Sequence, residues 1–221
     1  GGNNDFPMLR PDLHIVLVDA MRPGHVTTHH PGEAVLRMAD IVVIAKSDAA
    51  TAADIASVVK NVKAISPRVP VVHGASPVTL DDTAAVRGKS VLAVEDGPTI
   101  THGGMPHGAA YAAALRAGAA RLVDPRPYAS GALAAVYAAY PHIGPVLPAM
   151  GYSRDQLEAL RRTIENTPAE VVVAGTPIDL AALLPLNKPV VRARYEYAER
   201  GDRGLWEEVE GFLERRLGRM R

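Results

Sequence analysis

The chain has 221 residues, 24 basic against 24 acidic side chains, no cysteine and 48% hydrophobic residues. Its length can bury a full core in one large or two small domains, and its balanced charge gives no global pull toward nucleic acid or an anionic membrane. The missing cysteines exclude disulfides, thiol catalysis and thiolate-held metal centres; with no signal peptide and no apolar run near the roughly 20 residues that span a bilayer, a cytoplasmic protein without membrane or nucleic-acid partners is expected.

Gly1-Gly-Asn-Asn-Asp-Phe-Pro7 reads as an active-site loop entered partway. Unalternating Val/Ile/Leu runs then recur at Leu13–Asp19, Ile41–Ala45, Val69–His73, Val91–Val94, Arg121–Asp124, Gly144–Leu147, Val171–Ala174 and Pro189–Arg194. Such runs are the pattern of parallel strands buried on both faces. Between them the sequence predicts helices over Glu33–Met38, Ala50–Ser66, Gly108–Ala117 and Ser130–Tyr140. Ser153-Arg-Asp-Gln156 opens another, running to about Asn166, as a capping box. The tail Leu205–Leu217 has apolar residues at helical spacing and reads as an amphipathic closing helix packed on the body. The expected fold is α/β, with a mainly parallel sheet and helices on both faces.

Polar residues interrupt this pattern at Ser76–Gly88. Residues 1–80 are therefore read as the C-terminal part of a P-loop-type nucleotide-binding domain. Residues 81–221 are read as a second α/β domain, the substrate domain, ending in the amphipathic helix. No G-x-x-x-x-G-K-[ST] phosphate loop precedes the base-reading strand, so a fragment of a larger nucleotide-dependent enzyme is expected. Gly88-Lys89-Ser90 does not replace that loop. Position 83 is Thr rather than Gly, and the triplet leads into a strand, not out of one into a helix.

Ligands of open parallel sheets bind beyond the carboxyl ends of strands, and the unusual residues of this chain cluster there. After the first strand, Arg22 and His25 could clamp a phosphate and Asp19 could hold Mg²⁺, against a plain Pro/Gly turn with solvated charges. After the second, Lys46 and Asp48 stand as nucleotide-base readers in Ala45-Lys-Ser-Asp48. The usual Asn is Ala45, which leaves ATP or GTP open. The densest stretch runs from Val94 to Gly108. Glu95 and Asp96 are read there as Mg²⁺ ligands or a general base, and His102 as a phosphate donor or proton shuttle. Thr99, Thr101, Gly103, Gly104 and His107 line the same segment, and the helix after Gly108 favours an anion at its N-terminus. Arg126 sits on a Pro-stiffened turn. Thr176 follows a very hydrophobic strand, and Arg192 and Arg194 share one face of the last strand.

These stretches together resemble the cyclic 2,3-diphosphoglycerate synthetase family and its homologues described as GTPases. The resemblance is carried by Gly1–Pro7, Arg10–His14, Arg22–His25, His30–Glu33, Val94–Thr99, Thr101–Met105, Asp124–Pro127, Tyr140–Tyr152 and Gly175–Leu180. It covers only the C-terminal half of such proteins, whose P-loop domain lies upstream. It implies ATP-driven, Mg²⁺-dependent closure of a phosphoanhydride ring within 2,3-diphosphoglycerate. Glu95, Asp96, His102 and Arg126 would then be catalytic. Asn3, Asn4, Arg22, His25, Thr99, Thr101, Gly103, Gly104, His107, Thr176, Arg192 and Arg194 would bind substrate. The partners implied are nucleotide and a phosphorylated small acid; a homodimer is left open. Two other readings compete: a GTPase or metallochaperone-like P-loop protein, and a non-catalytic phosphometabolite-binding module.

Overall fold

The computed structural model describes residues 10–30, 32–150, 153–201 and 203–218. The chain forms two compact units. The first is built from residues up to Pro77 together with the closing segment from Glu196, and the second spans Val78–Tyr195. The closing helix, assigned from sequence to the second domain, thus belongs to the first.

In the first unit, strand β1 (Ile15–Asp19) is followed by two short helices, α1 (His25–Thr28) and α2 (Gly32–Arg37). Next come β2 (Ile41–Ala45), helix α3 (Ala52–Ile65) and β3 (Val71–Ala75). β1, β2 and β3 pair in parallel in that order. On one face Val16, Val18, Val42 and Ile44 pack with Leu36, Val58 and Val62 of the helices. On the other, Ile41, Val43 and Val72 meet Leu205 and Val209. That two-sided burial is why β2 reads as an unbroken apolar run.

The second unit opens with the short β4 (Val78–Leu80) and the central β5 (Ser90–Asp96). Helices α4 (Gly97–Ile100) and α5 (Ala109–Arg116) follow, then β6 (Arg121–Leu122) and a 3-10 turn at Arg126–Tyr128. Helix α6 (Ala132–Ala139), β7 (Leu147–Ala149), α7 (Arg154–Asn166), β8 (Val171–Gly175), α8 (Leu180–Leu183) and β9 (Val190–Tyr195) complete it. The sheet order is β4-β9-β8-β5-β6, with β7 also pairing β5; every pair is parallel except β4 with β9. Alternate residues of β5 divide between two cores. Val91 and Ala93 meet Ala110, Ala113 and Ala114 of α5, while Leu92 and Val94 meet Leu133 of α6 and Leu160 and Ile164 of α7.

β10 (Ala198–Arg200) and α9 (Leu205–Gly218) return the chain to the first unit, β10 adding antiparallel to β3. The fold is mixed α/β with mostly parallel strands. Among the described residues no helix is long and apolar enough to cross a membrane.

The predicted capping box starts α7: Gln156 N donates to Ser153 Oγ at 3.3 Å, and Ser153 N to Gln156 Oε1 at 3.1 Å. The Gly88-Lys89-Ser90 triplet enters β5 and clasps Glu170. Lys89 Nζ lies 3.0 Å from one carboxylate oxygen, and Ser90 N and Oγ lie 2.9 and 3.0 Å from the other.

Candidate functional site

In the first unit, β1 and β2 end level, Asp19 beside Ala45, and the residues just past those ends converge. Lys46 adopts a left-handed backbone, φ 60°, strained for a residue with a Cβ. Its Nζ donates to Asp19 Oδ2 at 2.7 Å. Asp19 Oδ1 accepts from the Met21 amide at 2.9 Å, and Arg22 Nε lies 3.6 Å from Oδ2, buried without a hydrogen bond. Asp48, one of the two expected base readers, binds the Ser76 amide through Oδ1 at 2.8 Å and so ties the turn after β2 to the end of β3. His25 stacks on His29 with ring centroids 3.7 Å apart. Burial, then the His29 and Arg22 charges, lower its pKa against the opposing charge of Asp19, which disfavours a cationic clamp.

The second unit gathers most of the other predicted residues at one sheet edge. Register places Glu95 beside both Gly175 and Pro148, Asp96 beside Ala149, and Arg192 beside Ala174. The stretch read as one long loop is more ordered than expected. β5 continues through Asp96, and Asp96 caps α4 by accepting from Thr99 N at 3.3 Å and Thr99 Oγ1 at 2.9 Å. Both bonds fall on Oδ2, and no described residue donates to Oδ1.

Glu95 is placed differently from an open base or metal ligand. Only 1% exposed, it accepts from the Ala110 and Tyr111 amides at 3.1 and 2.8 Å. The N-cap position of α5 is Gly108, which has no side chain to cap the helix, so Glu95 caps it from β5. The helix N-terminus expected to attract a ligand anion already holds one from the protein itself. Burial raises the Glu95 pKa, and the amides of Tyr111, Ala110 and Gly108 partly offset the rise. A Cβ on Gly108 or Gly175 would lie 2.5 or 2.8 Å from its Oε2, which accounts for both glycines.

Around α4, Thr101 Oγ1 donates its one proton to Gly97 O at 2.8 Å. The 3.0 Å contact between Thr101 Oγ1 and His102 Nδ1 therefore needs Nδ1 to donate, which leaves Nε2 bare in the neutral ring. His102 faces Tyr140, ring centroids 5.8 Å apart, and Tyr140 meets His142 edge-on. His142 Nε2 donates to Ile100 O at 2.7 Å and pins the end of α4. His142 was not singled out as a site residue, although it lies in the Tyr140–Tyr152 stretch that carries the resemblance. His107 stacks on Tyr111 at 4.5 Å, and Gly104 has φ 67°. Gly103 N donates to Pro98 O at 2.9 Å.

In the second unit the three arginines expected to grip a polyanion each hold a carboxylate. Arg126 makes a forked pair with Asp124 at 2.7 to 3.0 Å, and Arg194 one with Asp81 at 2.5 and 2.8 Å. Arg192 reaches Asp179 at 3.5 Å and Pro177 O at 3.3 Å. Thr176 is buried and accepts from the Ile178 amide. Asn3 and Asn4 lie outside the described residues.

Of the three side chains read as Mg²⁺ ligands, Glu95 does not fit, because its oxygens are sealed against amides, and Asp96 has one oxygen taken by Thr99. Asp19 fits only if Lys46 leaves it. Among the described residues no three His, Asp or Glu side chains gather at metal-holding distance.

No family model matches the chain. It is similar to a protein named arginine synthetase ArcE from Thermococcus kodakarensis, 49% identical over 210 residues. The match takes in 95% of this chain and 47% of the relative, so the chain spans about half the length of the curated relative it matches.

Proposed function

We propose that the chain is the substrate-side portion of a nucleotide-driven, ligase-type synthetase that forms arginine. The observation that carries this reading is the 49% identity extending over both units to a protein bearing that name. The local electrostatics support it. In the second unit Arg126 after β6 and Arg192 and Arg194 on β9 are already paired with Asp124, Asp179 and Asp81. A multiply phosphorylated acid would compete with a carboxylate at each arginine. Asp96 Oδ1, to which no described residue donates, suits a cationic or neutral nitrogen-bearing group, and a bare His102 Nε2 suits proton transfer.

In this proposal Asp96, Thr99, Thr101, His102, Gly103, Gly104, His107, Thr176 and Arg192 form the substrate side. Lys46 and Asp48 contact ATP or GTP in the first unit, with Arg22 and His25 nearby. Mg²⁺ arrives with the nucleotide phosphates, not on Glu95. Glu95 and His142 position the α4–α5 segment. Closure of 2,3-diphosphoglycerate is the second reading, favoured by Arg126 just after β6 and by Arg192 on β9 beside the end of β8. Exposed ion pairs such as theirs are each worth only about 0–1 kcal/mol and can exchange for a phosphate.

The test is a chimera in which this chain replaces the aligned 210 residues of the Thermococcus kodakarensis protein. Retained nucleotide-dependent arginine formation is expected. A folded chimera that makes no arginine, or that instead consumes 2,3-diphosphoglycerate, refutes the arginine assignment.

A further inference from the structure

The two edges of the first sheet differ in kind. β10 carries Ala198-Glu199-Arg200, short and charged, the composition that guards an edge against further pairing. β1 carries Ile15-Val-Leu-Val-Asp19, in unbroken register with β2 and with no lysine or proline. Its sequence is that of an interior strand, yet Leu17 is 60% exposed.

The backbone shows which groups are left over. Ala20 N donates to Ala45 O, and His14 O accepts from Ile41 N, so the even-numbered residues of this stretch turn toward β2. By alternation Ile15, Leu17 and Asp19 turn their amides to the outer side, where no described strand lies. Among the described residues the sheet ends on a charged strand at β10 and on an apolar, unpaired edge at β1.

We propose that β1 is an interior strand of a larger sheet. Its outer edge pairs with a strand, parallel like β1 to β3, supplied by the portion of the synthetase that this chain does not span. More than half of the relative's length lies outside the match, ample for such a strand and for a helix covering Leu17. The occupant's chemistry follows from the edge: an apolar, extended segment that accepts from the Leu17 amide and presents aliphatic side chains to it. The proposal rests on the chain's working within a longer synthetase, but not on which substrate that synthetase uses.

Amide hydrogen exchange on this chain and on the full-length Thermococcus kodakarensis relative tests it. In the chain, the Ile15 and Leu17 amides should exchange at least about 100-fold faster than Val16 and Val18. In the full-length relative, the strand aligned with Ile15–Asp19 should be slow at every position. Persistent fast alternate amides in the relative would overturn the proposal. So would uniform protection in the chain alone, whether as a monomer whose own segment covers the edge or as a dimer paired through β1. As a second measurement, Leu17→Lys should leave the unfolding midpoint of the chain unchanged but lower that of the chimera; equal effects in both would also overturn it. A chimera that makes no arginine leaves these readouts intact, so the two failures are distinguishable.

Discussion

Removing the carboxylate of Glu95 tests whether it builds the site or opens into it. Its two oxygens accept from Ala110 and Tyr111, at 3.1 and 2.8 Å, in a pocket closed by Gly108 and Gly175. Glu95→Ala strands both amides, and each buried unsatisfied donor costs about 1–3 kcal/mol, so a loss of about 2–6 kcal/mol is expected. Glu95→Gln keeps one acceptor but turns an NH₂ toward the other amide, for a loss of about 1–3 kcal/mol. Urea unfolding followed by far-UV circular dichroism reads the midpoint, and amide exchange at Ala110 and Tyr111 reads the cap locally. A Glu95→Ala protein within about 0.5 kcal/mol of wild type, with both amides still protected, would refute the capping role. Glu95 would then return to the catalytic set.

Glu95 also sets a pH dependence. Its folded pKa is raised, so the native state holds its proton longer than the unfolded chain. Stability should therefore fall as pH rises from the ordinary carboxylate range through the raised value, and Glu95→Gln should flatten that slope in a pH series of melts. Glu170, lowered to about 2 by the Ser90 amide, Lys89 and the Ser90 hydroxyl, acts with the opposite sign. Its contribution should be complete above the ordinary value and be lost as pH falls toward 2, and Glu170→Gln should remove that acid-side loss. Gly108→Ala drives a Cβ to 2.5 Å from Glu95 Oε2 and should cost about 1–3 kcal/mol; Gly24→Ala, with nothing within 4 Å, should be neutral or slightly stabilising by chemical denaturation. Lys188 Nζ caps the end of α7 by donating to the carbonyls of Ile164, Glu165 and Thr167. Lys188→Met should cost about 1–3 kcal/mol and speed exchange in the last turn of that helix.

The central strands were legible because burial on both faces leaves no polar alternation, as in Ile41–Ala45 and Val171–Gly175. β4 and β10 were not, being three-residue strands that carry Thr79, Glu199 and Arg200 and no apolar run. α4 had a signal that was passed over: Asp96 as cap with Pro98 in the first turn is a helix start, here stopped after four residues. The amphipathic stripe of α9 announced burial but not which sheet would receive it, since Leu205 and Val209 suit either core. Spacing placed Asp96, Thr99, Thr101 and His102 together because they share one strand-to-helix connection. It could not show that Glu95, one residue earlier, points the opposite way into the α5 terminus. Nor could it show that the arginines arrive already paired, because Asp81 and Arg194 are 113 residues apart.

The most direct measurement is a titration of the isotope-labelled chain with L-arginine and, separately, with 2,3-diphosphoglycerate, followed by amide chemical shifts. The account predicts saturable shifts at Asp96–His102 and Thr176–Asp179 with arginine and none there with the diphosphate. Shifts there with the diphosphate alone, or with neither ligand, would contradict it.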